Sequence, residues 1–107
     1  MAVTLAVAPS FAPDTSVGAS FGSTSAAITL PGTPASDAYV RICNLGPLPL
    51  HFKLGTSSAV TVTAQTGVCV LPGRELNLTI GSNTYLAGCC SGGLTGQQGV
   101  CNLTTGN

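Results

Sequence analysis

Short runs of alternating apolar and polar residues recur along the chain, and a period of two predicts β-strands. From Ala2 to Ala8, Val3, Leu5 and Val7 share one face and Thr4 lies on the other. Ala26 to Leu30 is a second short apolar run, closed by Pro31-Gly32. Between Ala38 and Cys43, Val40 and Ile42 face one way and Tyr39, Arg41 and Cys43 the other, so the charged residue marks the solvent side. Leu50, Phe52 and Leu54 alternate with His51 and Lys53, which puts both polar residues toward water. Asn44-Leu45-Gly46-Pro47 reads as a tight connection that joins these two runs into a hairpin.

Further on, Val60 and Val62 alternate with Thr61 and Thr63, and Val68 to Leu71 is apolar on both faces, as in a strand covered on both sides. Pro72-Gly73 ends that run. Leu76, Leu78 and Ile80 alternate with Asn77 and Thr79, and Gly81-Ser82-Asn83 turns the chain into Thr84 to Ala87. No window places apolar residues at helical spacing. Strands at intervals of about 8 to 12 residues are the signature of a β-sandwich or barrel.

Two stretches fall outside this rhythm. Pro9 to Ser25 is rich in Gly, Ala, Ser and Pro, with isolated Phe11 and Phe21, and the tail from Gly88 to Asn107 holds Gly92, Gly93, Gly96, Gly99 and Gly106. Both are expected to be arms or long loops. The expected organisation is therefore one domain over residues 1–107, with residues 1–25 as an N-terminal arm and 88–107 as a Gly/Cys-rich C-terminal tail. Val3, Leu5 and Val7, anchored by Phe11 and Phe21, are the candidate contacts of that arm with a neighbouring subunit, since an alternating strand can add to an exposed sheet edge.

Composition narrows the function classes. Charged residues make up 6% of the chain, against about 25% in ordinary soluble domains. They are Asp14, Asp37, Arg41, Lys53, Arg74 and Glu75, and they sum to zero. Nucleic-acid binding, which draws on several neutralised phosphates, lacks its main energetic term. A hydrophobic content of 44% argues against general disorder, and no apolar run approaches the roughly 20 residues of a spanning helix. Neither a nucleic-acid nor a membrane partner is expected. No Lys or Arg precedes Arg41 and the Ala2–Ala8 run is short, so the start is not read as a secretory signal. A surface this poor in charge is expected to be covered by neighbours, which points to an assembled homo-oligomer, a dimer or trimer.

Candidate chemistry is sparse. His51 is the one histidine, and no motif brings Asp14, Asp37 or Glu75 into a pair, so catalysis, a resident metal and a cofactor are not expected. Cys43 and Cys69 read as buried free thiols that pack like small hydrophobes. Adjacent Cys89 and Cys90 with Cys101 do not fit the paired knuckles of a zinc site. They are candidates for a disulfide, Cys101 with Cys89 or Cys90, in an oxidising environment.

The segments RICNLGPLPLHFKLG and VCVLPGRELNLTIGSNTYLA bring together an Asn-x-Gly turn at Asn44 to Gly46, Leu54-Gly55, a Leu-Pro-Gly turn at Leu71 to Gly73, and a closing Gly-x-x-Thr-x-x-Ala at Gly81, Thr84 and Ala87. This pattern, over about Ala26 to Ala87, resembles small virion proteins of tailed bacteriophages, and through them capsid decoration or cement proteins. The resemblance implies an all-β, jelly-roll-like single sandwich. It also implies a structural role on the capsid surface, with the major capsid protein as partner and synthesis in the host bacterial cytoplasm. Alternatives of the same architecture are a head–tail joining or tail-decoration subunit and a carbohydrate- or receptor-binding module.

Overall fold

The structure, a computed structural model, describes residues 13–32, 38–93 and 96–106. Within them the chain forms eight strands: β1 (Pro13–Phe21), β2 (Ala26–Thr29), β3 (Tyr39–Gly46), β4 (Leu50–Gly55), β5 (Val68–Val70), β6 (Glu75–Thr79), β7 (Tyr85–Cys90) and β8 (Gly99–Gly106). They build a β-sandwich of two antiparallel sheets, the first ordered β1-β8-β3-β6 and the second β2-β7-β4-β5. Every connection except β4 to β5 crosses from one sheet to the other.

The period-two pattern decides which side chains meet between the sheets. Val40 and Ile42 on β3, Leu103 on β8, Leu50 and Phe52 on β4 and Leu86 on β7 are fully buried in one cluster. The rings of Phe21 and Phe52 meet edge-to-face across the sandwich, with centroids 5.7 Å apart and planes at 86°, a favoured aromatic geometry. Close passage of the chain there requires glycine at position 88. A Cβ on Gly88 would lie 2.8 Å from the Phe21 ring, too near for two carbon atoms.

Several expectations are corrected. The supposed N-terminal arm contains β1, nine residues paired along β8, and Phe21 is a core residue and not an interface anchor. Its aromatic ring fills the space opposite Phe52, a stronger demand than the Gly- and Ser-rich composition of the stretch suggests. Val3, Leu5, Val7 and Phe11, with the expected first strand, lie outside the described residues. The supposed tail contains β8, which sits between β1 and β3 at the centre of the first sheet.

No hairpin joins β3 and β4. Both edges of β3 are occupied, by β8 and β6, so β4 has no place beside it and enters the other sheet. The Val60–Thr63 alternation forms no strand: Thr63 and Thr66 close a local turn, with Thr63 N–H donating to Thr66 Oγ1 at 2.9 Å and Gly67 N–H to the Thr63 carbonyl at 3.2 Å. Such hydroxyl bonds compete with a sheet ladder. The Val68–Leu71 run contains an edge strand, paired with β4 alone, and its core-side face is covered at Val70 while its other face is open. Only Val70 is buried, and Val68, Cys69 and Leu71 are exposed.

Candidate functional site

The outer face of the first sheet is a regular surface that four strands assemble. Cross-strand register lays two straight rows over it: Ser16, Thr104, Arg41 and Asn77, and beside them Gly18, Asn102, Cys43 and Glu75. Short hydroxyl and amide side chains dominate because the outward positions along the middle of β1 and β8 are Ser16, Gly18 and Ser20, and Asn102 and Thr104. Asn102 Nδ2 donates to Ser16 Oγ at 3.0 Å, and Thr104 Oγ1 donates to Asn102 Oδ1 at 2.9 Å.

Two charges stand on these rows. Arg41 Nε donates to Asn77 Oδ1 at 3.2 Å and lies 3.9 Å from Glu75 Oε2, a half-exposed pair worth about 0–1 kcal/mol. Tyr39 lies toward one end of this face and Val100 toward the other, both exposed. The face is thus neutral and polar in the middle with an apolar group near each end.

The second sheet presents a different outer face. Val62 folds back onto it and packs with Val60, Ala87 and Cys89 in a small cluster outside the main core. Val62 N–H is held by Ser25 Oγ at 3.0 Å. His51 lies on β4 between Cys89 of β7 and Cys69 of β5, its direct cross-strand partners. Expected to face solvent, it is only 6% exposed.

Its Nε2 meets Ser91 Oγ at 2.8 Å, and its Nδ1 is buried with no partner. A serine–histidine–acid triad needs a carboxylate at that nitrogen, so the pair lacks the group that would orient the ring as a base. A neutral ring that donates from Nε2 to Ser91 leaves only a lone pair unmatched.

The cysteines do not assemble into a centre. All five are free, and among the described residues no three of His, Cys, Asp and Glu gather to hold a metal ion. Cys89 and Cys90, neighbours on β7, belong to opposite sides of the sheet: Cys89 to the outer cluster, Cys90 to the main core with Cys101. Burial pushes the Cys101 thiol up to about 11. Burial also raises Cys89, with a lesser contribution from Cys90, and raises Cys43, with help from the carboxylate of Glu75. Raised thiols hold their protons and are poor nucleophiles at neutral pH. Cys43 is half-buried and Cys69 exposed, so neither is the core residue expected of it: their strand positions point away from the packed interior.

Near the end of β3, a shallow cleft of about 350 Å³ opens between Cys43, Asn44, Leu45, Gly73, Arg74 and Glu75. Exposed Leu45 stands on its rim. The cleft has one residue of each charge and no group activated for chemistry. Compared with known protein families, curated proteins and solved structures, the chain matches none.

Proposed function

We propose that this chain is a structural virion protein of a tailed bacteriophage that binds the assembled capsid lattice and stabilises it, as a homo-oligomer on the capsid surface. The observation that carries the reading is the outer face of the first sheet, continuous across four strands, nearly free of charge and bounded by Tyr39 and Val100. A face of this kind binds by area and shape, through hydroxyls and amides that tolerate burial when paired and apolar anchors that favour it. A pocket enzyme has the opposite design, a concavity with a few activated groups.

The jelly-roll reading of the sandwich belongs to the same proposal. Strand orders of β1-β8-β3-β6 and β2-β7-β4-β5, with all but one connection crossing between sheets, support it.

The test is direct. Capsids that lack the protein are mixed with it, sedimented and scanned by calorimetry. A ligand that prefers the assembled lattice raises its melting temperature. Tyr39→Ala and Asn102→Lys should weaken co-sedimentation while leaving the protein folded. An unshifted melting temperature with saturating wild-type protein rejects the proposal.

A further inference from the structure

Sheet edges expose unpaired backbone groups, and folded proteins blunt them with short strands, charges or bulges. β2 and β5, the edges of the second sheet, have only four and three residues. β6 begins with Glu75 and follows Arg74. β1 has none of these protections along most of its length. It is nine residues long, carries no charged residue from Thr15 to Phe21, and has its one irregularity at the start, between Pro13 and Thr15. Among the described residues no strand pairs with its second edge.

Val17 is the middle residue of β1. Register sets it opposite Leu103, which in turn lies opposite Ile42, so Val17 points to the core side of the sheet. Leu103 and Ile42 are 0% exposed, yet Val17 is 41% exposed. Among the described residues the sandwich is therefore open along this edge, with an inward-facing valine at its centre.

We propose that β1 pairs antiparallel with β1 of a second copy about a twofold axis at Val17. The two valines then face each other across the axis, Ser16 lies opposite Gly18, and Thr15 lies opposite Ala19. A strand can pair with itself in this way because the residues flanking its midpoint are small and uncharged, so no like charges oppose one another. Pairing satisfies the open backbone edge and covers the exposed half of each valine. It joins two four-stranded sheets into one of eight and doubles the neutral outer face. The inference deepens the reading of a homo-oligomeric lattice-binding protein by naming the contact between copies, and to that extent rests on it.

The experiment uses the full chain. With Cys43 and Cys69 replaced by serine, Val17→Cys should form a disulfide-linked dimer on mild oxidation, because directly opposed strand positions bring Cβ atoms to about 5 Å. Ser20→Cys, six residues from its own copy across the axis, should not. In sedimentation equilibrium Val17→Lys should weaken dimerisation by about a hundredfold or more, since two ammonium groups then face one another. Circular dichroism reports whether that variant stays folded, and the crosslinking arm does not depend on it.

Crosslinking at position 20 in place of 17 overturns the proposal, as does wild-type protein that remains monomeric at concentrations where it binds capsids. The latter result would leave lattice binding intact. A β1-linked dimer that ignores capsids would instead sink the lattice-binding reading and keep the interface.

Discussion

The side chain of Asn44, on β3 of the first sheet, donates to the backbone carbonyl of Val70, on β5 of the second, at 2.7 Å. It is a fully buried amide with every polar atom engaged. The same Nδ2 donates to the Leu48 carbonyl at 2.9 Å, and Oδ1 accepts from Gly46 N–H at 2.7 Å. One residue thus ties the two sheets together where β3 crosses to β4, and it lets Gly46 adopt a φ of 90°, which glycine takes without strain.

Asn44→Ala should therefore be among the most damaging single substitutions. It strands two carbonyls and an N–H in a dry site, each worth about 1–3 kcal/mol. A loss of at least about 3 kcal/mol is expected, read as a lower midpoint in a denaturant titration with an unchanged slope. A loss below about 1 kcal/mol would mean that water replaces the amide.

The aromatic pair at the sheet interface gives a second ranking. Phe52→Ala removes a fully buried ring and should destabilise by about 3–5 kcal/mol. Gly88→Ala, which drives a methyl into Phe21, should destabilise by about 1–3 kcal/mol through overpacking. Lys53→Ala, next to Phe52 but exposed, should stay within about 0.5 kcal/mol. Equilibrium unfolding of the three variants checks the order, and the register of β4 is refuted if Lys53→Ala proves the worst.

Strand faces were legible in β3, β4 and β6, where bulky apolar residues alternate, though the same alternation at Val60 and Val62 forms no strand. Val40 and Ile42, Leu50 and Phe52, and Leu76 and Leu78 all lie on the side that their spacing indicates. β1 and β8 were not legible because small or polar residues at Thr15, Ala19, Gly99 and Thr105 interrupt the bulky core-facing series that Val17, Phe21 and Leu103 belong to. Thr105, on the core side of β8, is buried with its hydroxyl donating to the Pro31 carbonyl at 3.0 Å, a partner 74 positions away.

Pairing was hidden for a related reason. Periodicity reports which face is buried but not which strand lies alongside, and here β3 finds both neighbours far away in sequence. His51 was misread because its burial depends on Ser91 and on the outer face of β7, about 40 residues distant. The candidate face itself was visible only as an unexplained shortage of charge. Its rows appear once β1 and β8 are placed side by side.

Thiol reactivity gives a prediction in pH. Native protein treated with a disulfide reagent at pH 8 should expose Cys69 at once and Cys43 more slowly, while Cys89, Cys90 and Cys101 wait for unfolding. The Cys101 thiol keeps its proton up to about pH 11 when folded, whereas an ordinary thiol releases it near 9.0. Its contribution to stability is therefore complete below pH 9.0 and is lost as the pH rises toward 11. Cys101→Ala should flatten the fall in stability over that window, measured by denaturant titration at successive pH values. An identical slope in wild type and variant would assign the alkaline loss to other groups.

Residues 1–12 precede the first strand, and Val3, Leu5 and Val7 alternate there in the manner of a segment that adds to a sheet edge or groove. Among the described residues all eight strands lie after this point, and the first to pack into the main core are Ala19 and Phe21. If the segment serves a neighbour and not its own sandwich, removing residues 1–12 leaves the far-ultraviolet dichroism and the melting temperature nearly unchanged. A longer cut, to residue 24, would take away β1 and Phe21 and is expected to unfold the protein. If the segment is an arm for the capsid lattice, the shorter deletion should reduce co-sedimentation with capsids at least tenfold, a loss of about 1.4 kcal/mol. Dimerisation through β1 should survive it, because Val17 and its flanking residues remain. Unchanged capsid binding after the shorter deletion would reject the arm, and unfolding after it would show that Val3, Leu5 and Val7 belong to this sandwich and not to a neighbour.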